Sequence, residues 1–411
     1  MEQIFKRKIF DQIIKFINTD DILVLHGSRQ VGKTSILYYV KNFLEEKKFI
    51  TYYIDLEDSR FVKILDEGVD NFVNFLEEKG LITNDKKRKD KIYIFIDEIQ
   101  YLKNPSSFLK IIADHHKNLK LIVSGSSSFE IKNKFKDSLV GRTLNFEIFP
   151  LSFEEFIEFK KIKIDRKILK QKTLTSKTLD DLKNLFKEFI LYGGYPKIIL
   201  SKNLELKEKY LQQIIDTYLK KDIRDLANIK EVDKFNKLLE VLASQSGNML
   251  NVLELANTCK LNKQTVEHYL FLLENTYIIK LVRPYNKNIR SELFKTPKVY
   301  FYDTGLLQML WLKNLQKEII GNVFETAVFN ELVKKYGKNN IFYWRTMDKK
   351  EIDFILNFKN IVLPIEVKLN FFNFNPTSIN YFIKKYNLKN YKVVGFEGEP
   401  KNKFHYYPWQ N

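Results

Sequence analysis

Cysteine is nearly absent from this chain. The single Cys259 has no partner for an intrachain disulfide, which fits a reducing, cytoplasmic setting. Glycine and proline are scarce, at 14 and 9 among 411 residues, and this argues against long flexible linkers. No apolar run approaches the roughly 18 residues of a membrane span, so no membrane partner is expected. The amino end lacks a secretory pattern; Ile9, Phe10, Ile13, Ile14 and Ile17 read instead as one face of a helix. Internal repeats and low-complexity tracts are absent as well.

What is present describes a globular chain. Hydrophobic residues make up 44% and charged residues 29%. The length exceeds what one compact core organises, so two or three domains are expected. The net charge of +18 suits a polyanionic partner such as DNA. Yet 59 of the 69 basic residues are Lys, and a Lys-rich, Ile- and Phe-rich composition can equally reflect base composition of the genome.

Short apolar runs at 21–25, 49–56, 92–96 and 119–123 alternate with helical patterns. Continuous apolar strands separated by helices predict a parallel sheet covered on both faces. After the first run comes Gly27-Ser28-Arg29-Gln30-Val31-Gly32-Lys33-Thr34, with Ser35 next, a full match to G-x-x-x-x-G-K-[ST]. Glycines let such a loop turn its backbone N–H groups toward a β-phosphate. Lys33 can reach the β- and γ-phosphates, the Thr34 hydroxyl can ligate Mg²⁺, and the following helix adds its positive end. The third run ends in Asp97-Glu98. Asp97 can hold Mg²⁺ through water and Glu98 can orient and deprotonate the attacking water. Ser124, with Ser126 as the alternative, is placed to sense the γ-phosphate. Arg142 is a candidate to neutralise γ-phosphate charge in a neighbouring subunit of a homo-oligomer, or to form a surface ion pair.

These motifs resemble the AAA-type ATPases of bacteria and archaea that carry a C-terminal restriction-nuclease-like domain of unknown function. The resemblance rests on 27–34, 95–100, 123–126, Gly141-Arg142, and Phe149-Pro150-Leu151-Ser152-Phe153. It continues through Gly193-Gly194-Tyr195-Pro196 and Tyr300-Phe301-Tyr302-Asp303-Thr304-Gly305-Leu306. It implies an α/β protein: a P-loop parallel-sheet ATPase domain at 1–150, a helical lid at 151–230, a winged helix at 231–295 and a smaller restriction-endonuclease-like α/β domain at 296–411.

The residues of the last two segments carry readings of their own. Runs at 251–256 and 262–273, with a turn near Cys259, have helix-turn-helix spacing. Val252, Leu255, Val266, Leu270 and Leu273 would form its core, leaving Lys263, Gln264, Thr265 and His268 to face a groove, with Arg283, Lys287 and Arg290 beyond. Farther on, alternation puts Glu366 and Lys368 on one strand face, and a hairpin would bring Asp353 beside Glu366. Two carboxylates can hold Mg²⁺ while Lys368 orients water or offsets charge at phosphorus. This resembles the D…E-x-K arrangement of restriction nucleases, with Glu325 as its helical acid. The sequence therefore predicts an ATP- and Mg²⁺-using enzyme acting on DNA. The rival expectation is a signalling or scaffolding ATPase whose C-terminal half binds protein and cleaves nothing.

Overall fold

The computed structural model describes residues 4–82, 91–125, 139–222, 229, 231–286, 296–359 and 361–410. They form two compact units. The first comprises Met1–Phe149 together with Asn275–Tyr277, and the second comprises Pro150–Glu274 and Ile278–Asn411.

The first unit is built on five parallel strands: β1 (Ile22–His26), β2 (Ile50–Asp55), β3 (Ile92–Asp97), β4 (Leu119–Gly125) and β5 (Thr143–Glu147). Their order in the sheet is β2-β3-β4-β1-β5. Every residue of β1, β3 and β4 is buried. On one face, alternate residues Ile92, Ile94 and Ile96 of β3 pack with Leu65, Phe72, Leu76, Leu109 and Ile112. Those five come from the helices α3 (Ser59–Asp66), α4 (Val69–Glu78) and α5 (Pro105–His115). Before them, α1 (Phe10–Lys15) packs on α2 (Lys33–Glu46), which lies against β2, β3 and β4. The sequence predicted four of these strands. The fifth, Thr143-Leu144-Asn145-Phe146-Glu147, is an edge strand with mixed exposure and so lacks an apolar run. Because β1 has β4 on one side and β5 on the other, the loop after β1 opens at the carboxyl edge where strand order reverses. Such switch points form ligand crevices in α/β sheets.

The second unit opens with α6 (Phe153–Phe159), α7 (Ser176–Tyr192), α8 (Pro196–Leu200) and α9 (Leu204–Ile214), followed by a π-helical stretch Ile215–Asp222. Then come α10 (Val232–Ser244), α11 (Val252–Cys259) and α12 (Lys263–Asn275). Next, β6 (Ile279–Val282) pairs antiparallel with β7 (Lys298–Phe301). Leu255, Val266, Leu270 and Leu273 are buried, Cys259 is buried as well, and Lys260 turns the chain at φ 53°. Val252 is only half-buried. Beyond α13 (Thr304–Leu312) and α14 (Gly321–Tyr336), a second sheet gathers β8 (Ile341–Arg345), β9 (Glu351–Phe358), β10 (Ile361–Asn370), β11 (Lys392–Glu397) and β12 (His405–Tyr406). Its order is β12-β11-β10-β9-β8, with α15 (Thr377–Tyr386) between β10 and β11 in the chain.

One buried carboxylate joins distant parts of this unit. Asp303 caps α13 by accepting from Leu306 N (2.8 Å) and also accepts from Gly194 N at 2.6 Å. Gly193 has φ 79°, and a Cβ there would sit 2.3 Å from Asp303 Oδ1. Only glycine fits, which gives the Gly193-Gly194 turn its physical reason. Burial lifts the Asp303 carboxyl to about 6, against the backbone N–H groups that favour its ionised form.

Candidate functional site

The loop of residues 27–34 joins the end of β1 to the start of α2. Gln30 and Gly32 take left-handed backbone angles, φ 61° and 93°, and such alternation curls successive N–H groups toward one concavity. Gly27 is required by space, since a Cβ would meet Ile148 O at 2.1 Å. Lys33 is 5% exposed, and its ammonium rests on Gly27 O (3.1 Å) and Ser28 O (2.9 Å). Burial pushes it below its ordinary value, while Glu98 and Asp97 pull the other way. Ser28 Oγ is buried without a hydrogen-bond partner. Arg29 is half-buried and Gln30 exposed, Val31 is buried, and Thr34 and Ser35 are exposed at the first turn of α2.

Asp97 is the hub. Its Oδ2 accepts from Thr34 Oγ1 at 2.6 Å and from the Tyr53 hydroxyl at 2.9 Å. Its Oδ1 accepts from Ser124 Oγ and from Glu98 N (3.2 Å). Strand pairing explains the convergence. Ile96 lies beside Val123, so Asp97 and Ser124 are the next neighbours at the carboxyl ends of β3 and β4. Ser124 is fully buried and also accepts from Glu98 N at 3.3 Å. It therefore links Asp97 to the Glu98 backbone. Ser126 lies outside the described residues. Glu98 has φ 55° and ψ 48°, and Gln100 Nε2 donates to its Oε2.

Arg142 is not brought to this site within one chain. Its carbonyl accepts from Ile22 N at 2.8 Å, which fixes it at the start of β1. The glycine loop lies at the other end of that five-residue strand, about 16 Å away at ~3.3 Å per residue. The guanidinium grips Asp114 at 2.7 and 3.1 Å and holds that carboxyl below its usual range.

Three contributors escaped the sequence reading. Tyr53 is visible only once β2 is known to flank β3. Arg7, 7% exposed, donates to Val31 O (2.8 Å) and Phe149 O (2.9 Å), clamping the loop from 24 residues upstream. The Tyr277 hydroxyl lies 2.6 Å from Nδ1 of His26, the residue before Gly27, and donates to Glu147 Oε1 at 2.9 Å. No local spacing signals the last two.

In the second unit the C-terminal acids do meet. Antiparallel pairing of Ile365 with Phe354 puts Glu366 one step on, opposite Asp353. Lys368 Nζ lies 2.7 Å from Glu366 Oε1 and 3.8 Å from Asp353 Oδ2, and Val367 N donates to Asp353 Oδ2 at 2.7 Å. Glu325, on α14, accepts from the Tyr300 hydroxyl at 2.5 Å and faces Lys298 at 3.7 Å. Lys298 also binds Glu351 at 2.6 Å. Burial, then the charge of Asp353, lifts Glu325 to about 7 and Glu366 to about 8. Glu366 Oε2 is buried and unpartnered. Among the described residues, no group of three His, Cys, Asp or Glu side chains is arranged to hold a metal ion. Lys368 spans Asp353 and Glu366, while Lys298 spans Glu325 and Glu351. Lys298, Tyr300 and Glu351 were not predicted.

The α12 residues expected to face a groove also have definite geometry. Lys263, Gln264 and His268 are exposed and Thr265 is half-buried, but Lys263 lies 3.6 Å from Glu267. Arg283 is exposed; Lys287 and Arg290 lie outside the described residues. No helix among the described residues is long and apolar enough to cross a membrane.

Comparison with known proteins adds three family matches. Residues 19–157 match an AAA domain, and residues 183–318 and 320–407 match two domains of unknown function, DUF8612 and DUF4143. An uncharacterized protein of Haemophilus influenzae is 25% identical over 95% of this chain and 93% of its own length. An uncharacterized protein of Methanocaldococcus jannaschii is 27% identical over 85% of this chain and 76% of its own. Among solved structures, a Walker-type ATPase of Pyrococcus abyssi superposes with a TM-score of 0.48 at 16% identity, covering 75% of this chain and 96% of that one. The glycine loop, the five-stranded parallel sheet and the family match together make residues 19–157 a P-loop ATPase domain of the AAA type.

Proposed function

We propose that this chain hydrolyses ATP with Mg²⁺ and couples that cycle to DNA, through a helical lid at 151–230, a winged helix at 231–295 and a nuclease-like domain at 296–411. The observation that carries the ATPase reading is the convergence of Thr34, Tyr53 and Ser124 on Asp97, with Lys33 and Glu98 alongside. The residues suit the nucleotide and its ion. Thr34 and Asp97 are hard oxygen donors, and the buried Ser28 hydroxyl lacks a partner inside the loop. Bound Mg²⁺ would neutralise charge on the phosphates. The chain's own groups do the rest. Backbone N–H groups of 27–34 hold the β-phosphate and Lys33 leaves its carbonyls for the phosphate oxygens. Glu98 accepts the proton of the water that attacks the γ-phosphorus as the bond to the ADP oxygen breaks.

Lys33→Ala is expected to abolish turnover and weaken nucleotide binding, while Glu98→Gln keeps binding and loses roughly 10²–10⁴ in turnover. Normal hydrolysis in both variants would sink the assignment. Asp353 and Glu366, with Lys368, are proposed to bind Mg²⁺ and nick DNA. Nicking should vanish in Asp353→Ala and survive Lys33→Ala without ATP.

A second reading has one observation in its favour. The exposed face of α12 is of mixed charge, with Lys263 beside Glu267, as a protein-docking helix would be. DNA-stimulated ATP turnover supports the first reading, and indifference to DNA the second.

A further inference from the structure

Basic side chains gather at one edge of the C-terminal sheet. There β12 pairs in parallel with β11, with Val394 beside Tyr406. Lys392 lies two residues before Val394, so Lys392 and Tyr406 share one face of the sheet as diagonal neighbours. The Lys392 ammonium sits 4.7 Å from the Tyr406 ring centroid. Lys172, from the segment before α7, places its own ammonium 3.7 Å from the same ring. Two cations thus flank one aromatic ring on the sheet's edge strand.

Lys172 is fixed there. It donates to Lys403 O and to His405 O (3.5 Å), and the preceding Gln171 O accepts from Gln410 Nε2 at 2.5 Å. More positive charge surrounds the pair. Lys392 feels both Lys172 and Lys335, and His405 feels Lys172 and Lys401. Burial and these cations bring the Lys392 ammonium down to about 8. Of the acids, Asp180 and Glu399 bear on the adjoining Tyr407 hydroxyl. Like charges gathered on a half-buried ring repel one another, and a bound oxyanion would reverse that cost. Two ammoniums held over one ring present a pair of charges to the phosphates of a nucleic-acid strand, with the ring setting their spacing.

We propose that Lys172, Lys392 and Tyr406 form a binding site for the sugar–phosphate backbone of a nucleic acid, separate from the helix-turn-helix. The proposal rests on the DNA reading above and names a surface for it.

The test uses the full chain and labelled single-stranded and duplex oligonucleotides, followed by fluorescence anisotropy across a salt series. Lys172→Ala/Lys392→Ala is expected to weaken binding and to flatten the log–log salt slope by about 1.8 on duplex DNA, or about 1.4 on a single strand, at one phosphate per lysine. Basal ATP turnover should be unchanged, which separates this surface from the nucleotide site. Should the double variant melt early, the exposed Lys172→Ala alone must flatten the slope by about half as much. In the unaltered protein, bound oligonucleotide should protect Lys172 and Lys392 from amine acetylation, read by peptide mass spectrometry. A variant that binds with the wild-type slope, or no protection, overturns the proposal while leaving the DNA reading intact. A wild-type chain that binds no nucleic acid at low salt overturns both.

Discussion

The two acidic centres of this chain use the same residue types to opposite effect. In the first unit Asp97 is surrounded by donors: two hydroxyls on one oxygen, a hydroxyl and an amide on the other. Lys33 stands apart from it on backbone carbonyls, ready to be drawn off. In the second unit Asp353, Glu366 and Glu325 crowd one another, and Lys368 and Lys298 are already engaged as their counter-charges. A carboxylate saturated by neutral donors leaves its lysine available for a ligand. A crowded one depends on its lysines to stay folded. The first arrangement is preorganised for a ligand's charge; the second must exchange an internal ion pair for an external ion before it can act.

The comparison can be broken most sharply at Arg142. If the nucleotide centre is completed by a neighbouring copy, it is unfinished in one chain, whereas the second centre is complete in one. An arginine supplied across an interface is worth roughly 10³ or more in turnover. Arg142→Ala mixed with Lys33→Ala should then recover activity that neither has alone, and specific activity should fall on dilution. Flat activity with dilution, together with no recovery on mixing, would leave Arg142 as a partner of Asp114 within its own chain.

The two buried lysines sharpen it next. Lys298→Met leaves Glu325 and Glu351 without their shared cation, a loss of about 3–5 kcal/mol for breaking one side of a buried ion pair. Lys33→Ala removes no ion pair of this kind and should leave the melting temperature close to wild type. Equal destabilisation by the two substitutions, measured by chemical denaturation, would erase the distinction.

How much of each centre could be read beforehand follows from chain distance. Gly27 to Thr34 are contiguous, and Asp97-Glu98 ends an apolar strand, so local pattern sufficed for both. Alternation placed Glu366 and Lys368 on one face without any structure. Tyr53, Arg7 and Tyr277 reach the nucleotide centre from separate elements, and Lys298 and Tyr300 reach the second from β7. Only strand order and packing bring them in. The strand at Thr143–Glu147 was missed for a related reason: at a sheet edge burial is partial, so the apolar signal thins out.

The smallest effect concerns a third buried carboxylate. Asp303 is held by backbone N–H donors where Asp97 is held mostly by hydroxyls, it is buried like Glu366, and its folded value of about 6 lies above the 3.8 of an exposed Asp. The folded state thus binds its proton more tightly. The associated stability is present below about pH 4 and is lost as pH rises through 6, at ~1.4 kcal/mol per unit and at most about 3 kcal/mol in all. Subtracting the stability curve of Asp303→Asn from that of the wild type should expose this fall between pH 4 and 6. A flat difference would mean that burial does not raise Asp303 in the folded state.

Cys259 has a practical corollary. It is the chain's one thiol, it lies buried among Leu255 and the helices around it, and burial raises it above its usual value. A buried, protonated thiol reacts slowly with maleimides and iodoacetamides. Fluorophores or spin labels attached to cysteines introduced on the surface would therefore report from their intended positions without first stripping the native residue, and the two units' response to ATP could be followed by distance measurements in an otherwise unaltered background.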